Sequence, residues 1–244
     1  MKAIVTGHTR GLGAAIAEEL LARKIPVLGL ARTPNAALAR RYPHGLEQVE
    51  VDLADSASLA QWLLGNDLHR FLSACPSVLL INNAGTLQPV GPIETQAPAA
   101  IARAVALNVA APMMLAAAVA ATSADAHDRR ILHISSGAAR TPYPGWSVYG
   151  ATKAALDHHV RAVALDHSPA LRICSLAPGV IDTAMQAEIR ATPETLFPLR
   201  ARFDALKRDG ALAAPEDCAR RLVDYLTSDR FGETPLADLR ELSS

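Results

Sequence analysis

The sequence predicts an α/β fold: one doubly wound parallel sheet, helices on both faces, in a single domain over 1–244. Three observations lead there. Apolar runs of strand length alternate with segments of helical period. The later runs, SVLLI, RILHI and LRICSLA, are apolar without clean alternation, as expected of parallel strands buried on both faces. A glycine-rich turn joins the first strand to the first helix, where a backbone must approach a bound phosphate closely.

Lys2 to Thr6 read KAIVT, the first strand. Gly7-His8-Thr9-Arg10-Gly11-Leu12-Gly13 forms the turn, and AAIAEELLARK continues as a helix to about residue 23. Further strands read at 25–31, 46–52, 77–82, 130–135 and 171–177, with helices at 56–64, 95–122 and 147–167. After Pro178-Gly179 the pattern changes. Residues 182–210 are helical but polar, broken by Pro193 and Pro198, and read as a mobile helical flap over a substrate. Pro215-Glu216-Asp217 opens a last helix to about Thr227, and 234–239 reads as an edge strand. There is no repeat, low-complexity run or linker.

Composition narrows the function. Lys plus Arg number 24 and Asp plus Glu number 24, so net charge is zero and no basic stripe marks a nucleic-acid surface. Half the residues are hydrophobic and 4% aromatic, so the core is mostly Ala, Leu, Val and Ile. The apolar stretches read as interrupted short of a membrane span, and the N-terminus runs straight into a strand with no signal peptide. Cys75, Cys174 and Cys218 form no CxxC pair, which suits reduced thiols and a cytoplasmic protein. The eight histidines show no ligand spacing, so no metal site is expected.

Tyr149 and Lys153 stand four apart on a predicted helix and share one face. An ammonium beside a phenol favours the phenolate, so the tyrosine is expected to exchange a proton nearer neutral pH. Ser136, thirteen residues upstream of Tyr149, ends a strand and can hold a carbonyl oxygen. Its neighbour Ser135 is the rival for that role. Alone, the Tyr-x-x-x-Lys pair is also the pattern of a surface pair.

With Thr6-Gly-x-x-x-Gly11-x-Gly13, Asn82-Asn83-Ala84-Gly85, Asn108 in LNV, Ser136 in ISSG, Tyr149-x-x-x-Lys153, and Pro178-Gly179 with Thr183, the chain resembles the short-chain dehydrogenase/reductases over nearly its whole length. SGAARTPYPGWSVYGATKAALD and PGVIDTAMQAEIR are similar to the benzil reductase and sepiapterin reductase branch. The resemblance implies a Rossmann fold and an NADP-dependent carbonyl reductase, acting on a small-molecule ketone such as a vicinal dicarbonyl. Tyr149 would be the general acid and Ser136 the carbonyl polariser. Lys153 would lower the tyrosine pKa and hold the ribose, and Asn108 would hold a water of a proton relay.

The cofactor assignments follow the same resemblance. Gly7, Thr9, Arg10, Gly11, Leu12 and Gly13 would cradle the phosphates. Members that prefer NAD carry an acid at the end of the second strand. Here that strand ends Ala31-Arg32-Thr33, and Arg32 with Arg10 suits a 2′-phosphate. Asp52 and Leu53 would meet the adenine, and Asn83, Ala84 and Gly85 the adenosine ribose. Pro178, Gly179, Val180, Ile181 and Thr183 would flank the nicotinamide. His8 stands where a small residue is usual, and either meets a phosphate or fills the turn.

Substrate candidates are Leu87, Pro89, Tyr143, Trp146, Met185 and Gln186, with Asp238 where sepiapterin reductases anchor the pterin. Trp146 reads equally as packing over the active-site helix. The alanine-rich, weakly charged helices at 95–122 and 147–167 suggest a homodimer or homotetramer. Two other readings stand beside this one: a short-chain reductase of a 3-oxoacyl thioester, steroid or sugar, and a catalytically silent NADP-binding regulator. An epimerase would need a longer C-terminal substrate domain.

Overall fold

The computed structural model describes residues 1–166, 168 and 170–242. β1 (Lys2–Thr6) leads through α1 (Gly11–Ala22) to β2 (Val27–Ala31), and α2 (Ala36–Arg41) leads to β3 (Leu46–Glu50). α3 (Ser56–Leu63) and α4 (Asp67–Leu72) return the chain to β4 (Ser77–Asn82). α5 (Pro98–Val105), a π-turn over Ala106–Ala110 and α6 (Ala111–Thr122) lead to β5 (Asp128–Ile134). α7 (Ser147–Ala164) leads to β6 (Leu171–Ala177). α8 (Ala184–Ala191), α9 (Arg200–Arg208) and α10 (Pro215–Thr227) precede the short β7 (Leu236–Asp238).

The sheet order is β3-β2-β1-β4-β5-β6-β7, and every adjacent pair is parallel. β1 pairs with β2 on one side and β4 on the other. The winding therefore reverses between β1 and β4, which leaves a crevice past their carboxyl ends. Successive strand residues feed opposite layers. Val5, Ile81, Leu132 and Leu176 pack with Leu222 and Leu226 of α10. Ile4, Leu80 and Ile131 pack with Leu115 and Val119 of α6 and Val160 of α7. Burial on both faces is why these strands are apolar without alternation.

Boundaries differ from expectation for local reasons. β2 starts at Val27 because Pro26 has no N–H to give, although its carbonyl accepts from Ala3. β5 begins two residues early, at Asp128, whose carboxylate binds Arg130 and Arg172 at 2.8 Å each. The helix expected over 95–122 is three elements, since Pro98 opens α5 and the π-turn carries Asn108. α2 and α4 were not expected; each has six residues. Asn35 caps α2 by accepting from Leu38 N–H at 3.0 Å. The helix expected over 147–167 ends at Ala164, and residue 167 lies outside the described residues.

Two expectations need correction. The 25-residue run Pro98–Thr122 contains an 18-residue stretch with a mean hydropathy of 2.0, long and apolar enough to cross a membrane by length and composition. Here it flanks the sheet, and 39% of that stretch is buried. The 182–210 segment folds as α8 and α9, and it is not apolar-poor where it meets the rest. Phe197 is fully buried, and Phe203 and Ile189 nearly so, in one cluster with Trp146 and Tyr149.

Candidate active site

A cleft of about 890 Å³ opens past the carboxyl ends of the central strands. Its base is the turn after β1. Gly7 and Gly11 have φ of +69° and +54°, which L side chains rarely adopt. A Cβ on Gly13 would stand 2.1 Å from the Gly7 carbonyl oxygen and 2.4 Å from Asn83 Nδ2. The ends of β1 and β4 are clamped together: Asn83 and Ala84 N–H both donate to Thr6 Oγ1 at 2.9 Å, and Asn83 Nδ2 donates to Thr6 O at 3.0 Å. α1 starts with no side-chain cap and no acidic residue in its first turn. Its first N–H groups and its dipole are left for an anion. This cradle fits a dinucleotide pyrophosphate.

The cofactor candidates spread along one wall. Thr9, Arg10 and Leu12 lie by the turn, Arg32, Asp52 and Leu53 at one end, and Ala84 and Gly85 between. Pro178, Gly179, Val180, Ile181 and Thr183 form the facing wall. Asp52 is engaged by Arg103 at 2.9 Å and by Ala54 N–H at 3.0 Å. His8 is off the wall, buried between β2 and β3, with Nε2 2.7 Å from Gln48 Oε1. It fills the underside of the turn.

Ser136, Tyr149 and Lys153 converge on the cleft. Tyr149 and Lys153 are one turn apart on α7, both buried. Lys153 Nζ donates to Ile134 O at 2.7 Å and lies 5.8 Å from the Tyr149 ring centroid. Burial pushes the Lys153 ammonium down to about 8, with Asp157 opposing. Burial pushes the Tyr149 phenol above its ordinary value, and the Ser136 hydroxyl works the other way. Desolvation is thus the largest influence on Tyr149 and raises its pKa, opposite in direction to the lowering expected from Lys153.

Ser135 is separated from Ser136 by its partner. Its hydroxyl donates to Asp157 Oδ1 at 2.7 Å, and Ser175 donates to the same oxygen at 2.6 Å. Asp157, which sequence reading missed, thus ties α7 to β5 and β6. The signal was present: Tyr149, Lys153 and Asp157 follow i, i+4, i+8 on one face. Asn108 lies behind the wall. Its Oδ1 accepts from Thr86 N–H at 2.9 Å, and its Nδ2 donates to Thr86 O at 2.9 Å and Thr152 Oγ1 at 3.1 Å. A Cβ on Gly85 would stand 3.3 Å from Asn108 Oδ1 and 3.6 Å from Lys153 Nζ.

Of the substrate candidates, Leu87, Tyr143, Trp146, Met185 and Gln186 line the cleft. Trp146 stacks on Phe197 at 4.7 Å and meets the Tyr143, Tyr149 and Phe203 rings at 5.6, 5.4 and 5.6 Å. Two candidates do not reach the wall. Pro89 is buried and lies off the cleft wall, although Leu87 and Gln88 beside it line the cleft. Asp238 is buried and gripped by Arg240, with Nε to Oδ1 at 2.9 Å and Nη2 to Oδ2 at 2.6 Å. Phe203, Arg202 and Arg240 line the cleft without having been singled out. Among the described residues, no three His, Cys, Asp or Glu side chains gather as metal ligands.

Comparison with known proteins agrees with this geometry. The short chain dehydrogenase pattern matches residues 1–194. The chain is 35% identical to a benzil reductase ((S)-benzoin forming) of Bacillus cereus, covering 93% of this chain and 94% of that one. It is 33% identical to the sepiapterin reductase of Meriones unguiculatus, covering 93% and 92%. The crystal structure of a short-chain dehydrogenase/reductase from Burkholderia vietnamiensis is 49% identical and superposes with a TM-score of 0.72, covering 99% and 98%.

Proposed function

The chain belongs to the short chain dehydrogenase family and is an oxidoreductase, and from that premise we propose that it reduces a vicinal dicarbonyl with NADPH. The observation that carries this reading is the convergence of Ser136, Tyr149 and Lys153 on one cleft whose base is a phosphate cradle. The nicotinamide supplies the hydride when bound. Tyr149, protonated at neutral pH, gives its proton to the carbonyl oxygen as that oxygen becomes anionic. The Ser136 hydroxyl donates a hydrogen bond to the same oxygen. The Lys153 ammonium holds the ribose hydroxyls. Asn108, close to Lys153 across Gly85, holds a water through which the proton is replaced.

Arg10 and Arg32 are both exposed on the cleft wall, with Ala31 where an acid would repel a 2′-phosphate. That supports NADPH over NADH. The aromatic wall of Tyr143, Trp146 and Phe203 suits a flat ring. The sepiapterin reductase similarity supports a second reading, a pterin side chain. Arg240 closes Asp238, the acid expected to anchor a pterin, which favours the aryl diketone. A homodimer or homotetramer in the cytoplasm completes the reading, supported by three unpaired cysteines and the apolar α5–α6 run.

Loss of NADPH absorbance decides it, with benzil, sepiapterin, a 3-oxoacyl thioester and a steroid assayed in parallel. Benzil should show a kcat/KM at least about tenfold above the others. Binding of NADPH without oxidation by any of them would overturn the proposal in favour of a silent regulator.

A further inference from the structure

His8 sits in the glycine-rich turn yet touches nothing in the cleft. Its ring lies over Gly29 of β2, where a Cβ would stand 2.5 Å from ring Cγ and Nδ1, so only glycine admits the imidazole there. Its Nε2 is 2.7 Å from Gln48 Oε1 on β3. The same Oε1 accepts the Asn35 N–H at 2.6 Å. An amide oxygen has no proton to give, so His8 Nε2 carries the hydrogen and Nδ1, which has no partner, is bare. Asn35 Nδ2 reaches back to the His8 carbonyl at 3.4 Å, while its Oδ1 caps α2. The polar contacts form a closed ring across the turn after β1, the middle of β3 and the start of α2. Between β2 and Asn35 lie only Arg32, Thr33 and Pro34, all exposed, and Arg32 and Thr33 face the cleft.

We propose that His8 is a positioning residue for cofactor choice. Through Gln48 and Asn35 it pins the far end of the Arg32–Asn35 loop, so that Arg32 and Thr33 are held ready for a 2′-phosphate. The near end is already fixed in the sheet, where Val51 N–H donates to Ala31 O at 2.8 Å. A loop tied at both ends loses little freedom on binding, whereas one freed at Asn35 must be ordered by the ligand itself. The inference rests on the NADPH reading above.

Calorimetric titration with 2′,5′-ADP and with 5′-AMP tests it without turnover. His8→Ala should weaken 2′,5′-ADP about tenfold and 5′-AMP less than about twofold, with kcat for the NADPH reaction unchanged. Gln48→Leu, at a half-exposed strand position, should reproduce that loss, and the double variant should be no worse than either. His8→Gln keeps an N–H donor toward Gln48 and should recover most of the affinity. If His8→Ala fails to fold, Gln48→Leu carries the test alone. Wild-type protein that does not prefer 2′,5′-ADP to 5′-AMP would bring down the cofactor reading and this inference with it. A wild-type preference that survives in the variants, or equal losses for both nucleotides, would overturn the role of His8 alone.

Discussion

Removing one oxygen from Tyr149 separates proton donation from cofactor binding. Tyr149→Phe should lower turnover by about 10²–10⁴-fold while leaving the NADPH dissociation constant nearly intact; stopped-flow and fluorescence titration read the two, and near-normal turnover refutes the role. Lys153 gives a pH dependence whose sign follows from its charge. Its ammonium, depressed to about 8, is lost as pH rises through that value. Tyr149, raised by burial, keeps its proton across the same range. Reduction should therefore be level near neutrality and fall as pH rises through about 8, and a pH–rate profile that rises there would exclude this assignment. Arg32→Ala should cost NADPH about 1.5–3 kcal/mol of binding and NADH much less, and equal losses would show that Arg32 does not read the 2′-phosphate. These positions were legible because chemistry fixes their spacing: a helix turn between Tyr149 and Lys153, glycines where backbone and phosphate meet. The direction of the Tyr149 shift was not, since burial is a property of the fold. Nor was the fate of Asp238, decided by Arg240 two residues on.

Between residues and sheet, the 182–210 segment shows what pattern alone missed. Its charges and two prolines read as a polar flap, but Phe197 and Phe203 are spaced six apart across a loop and match no single helical period. Only the folded chain brings both onto Trp146. α9 is thereby anchored beside α7, and α8, held in the same cluster by Ile189, brings Met185 and Gln186 to the cleft. Hydrogen exchange should show α8 amides exchanging fast in the free protein and slowing with NADPH and a diketone, while the Phe203 turn is protected throughout. Phe197→Ala should cost about 3–5 kcal/mol of stability and extend fast exchange into α9. If α8 is as protected as α7 before any ligand is added, there is no lid. The short helices α2 and α4 escaped for a related reason. α2 buries only Leu38, too little for a periodic signal, and exists because Asn35 caps it.

At the scale of the whole molecule, the doubly wound parallel sheet was legible from the strand–helix alternation, while the order β3-β2-β1-β4-β5-β6-β7 was not, because doubly wound sheets have more than one common strand order. What a single chain leaves uncovered is the α5–α6 run. An 18-residue stretch of it has a mean hydropathy of 2.0, yet only 39% of that stretch is buried. Ala102, Val105, Ala117 and Ala121 remain exposed on it, and Ala151 and Ala155 on α7 are exposed or half-buried nearby. Small side chains let two such helices approach closely, and a two-fold axis would bury the same patch on both copies. The protein should therefore be a dimer or tetramer at micromolar concentration. Val105→Asp, which puts a charge into that face without touching the cleft, should shift light-scattering mass toward the monomer. A wild-type monomer under the same conditions would mean that the apolar run serves only its own chain.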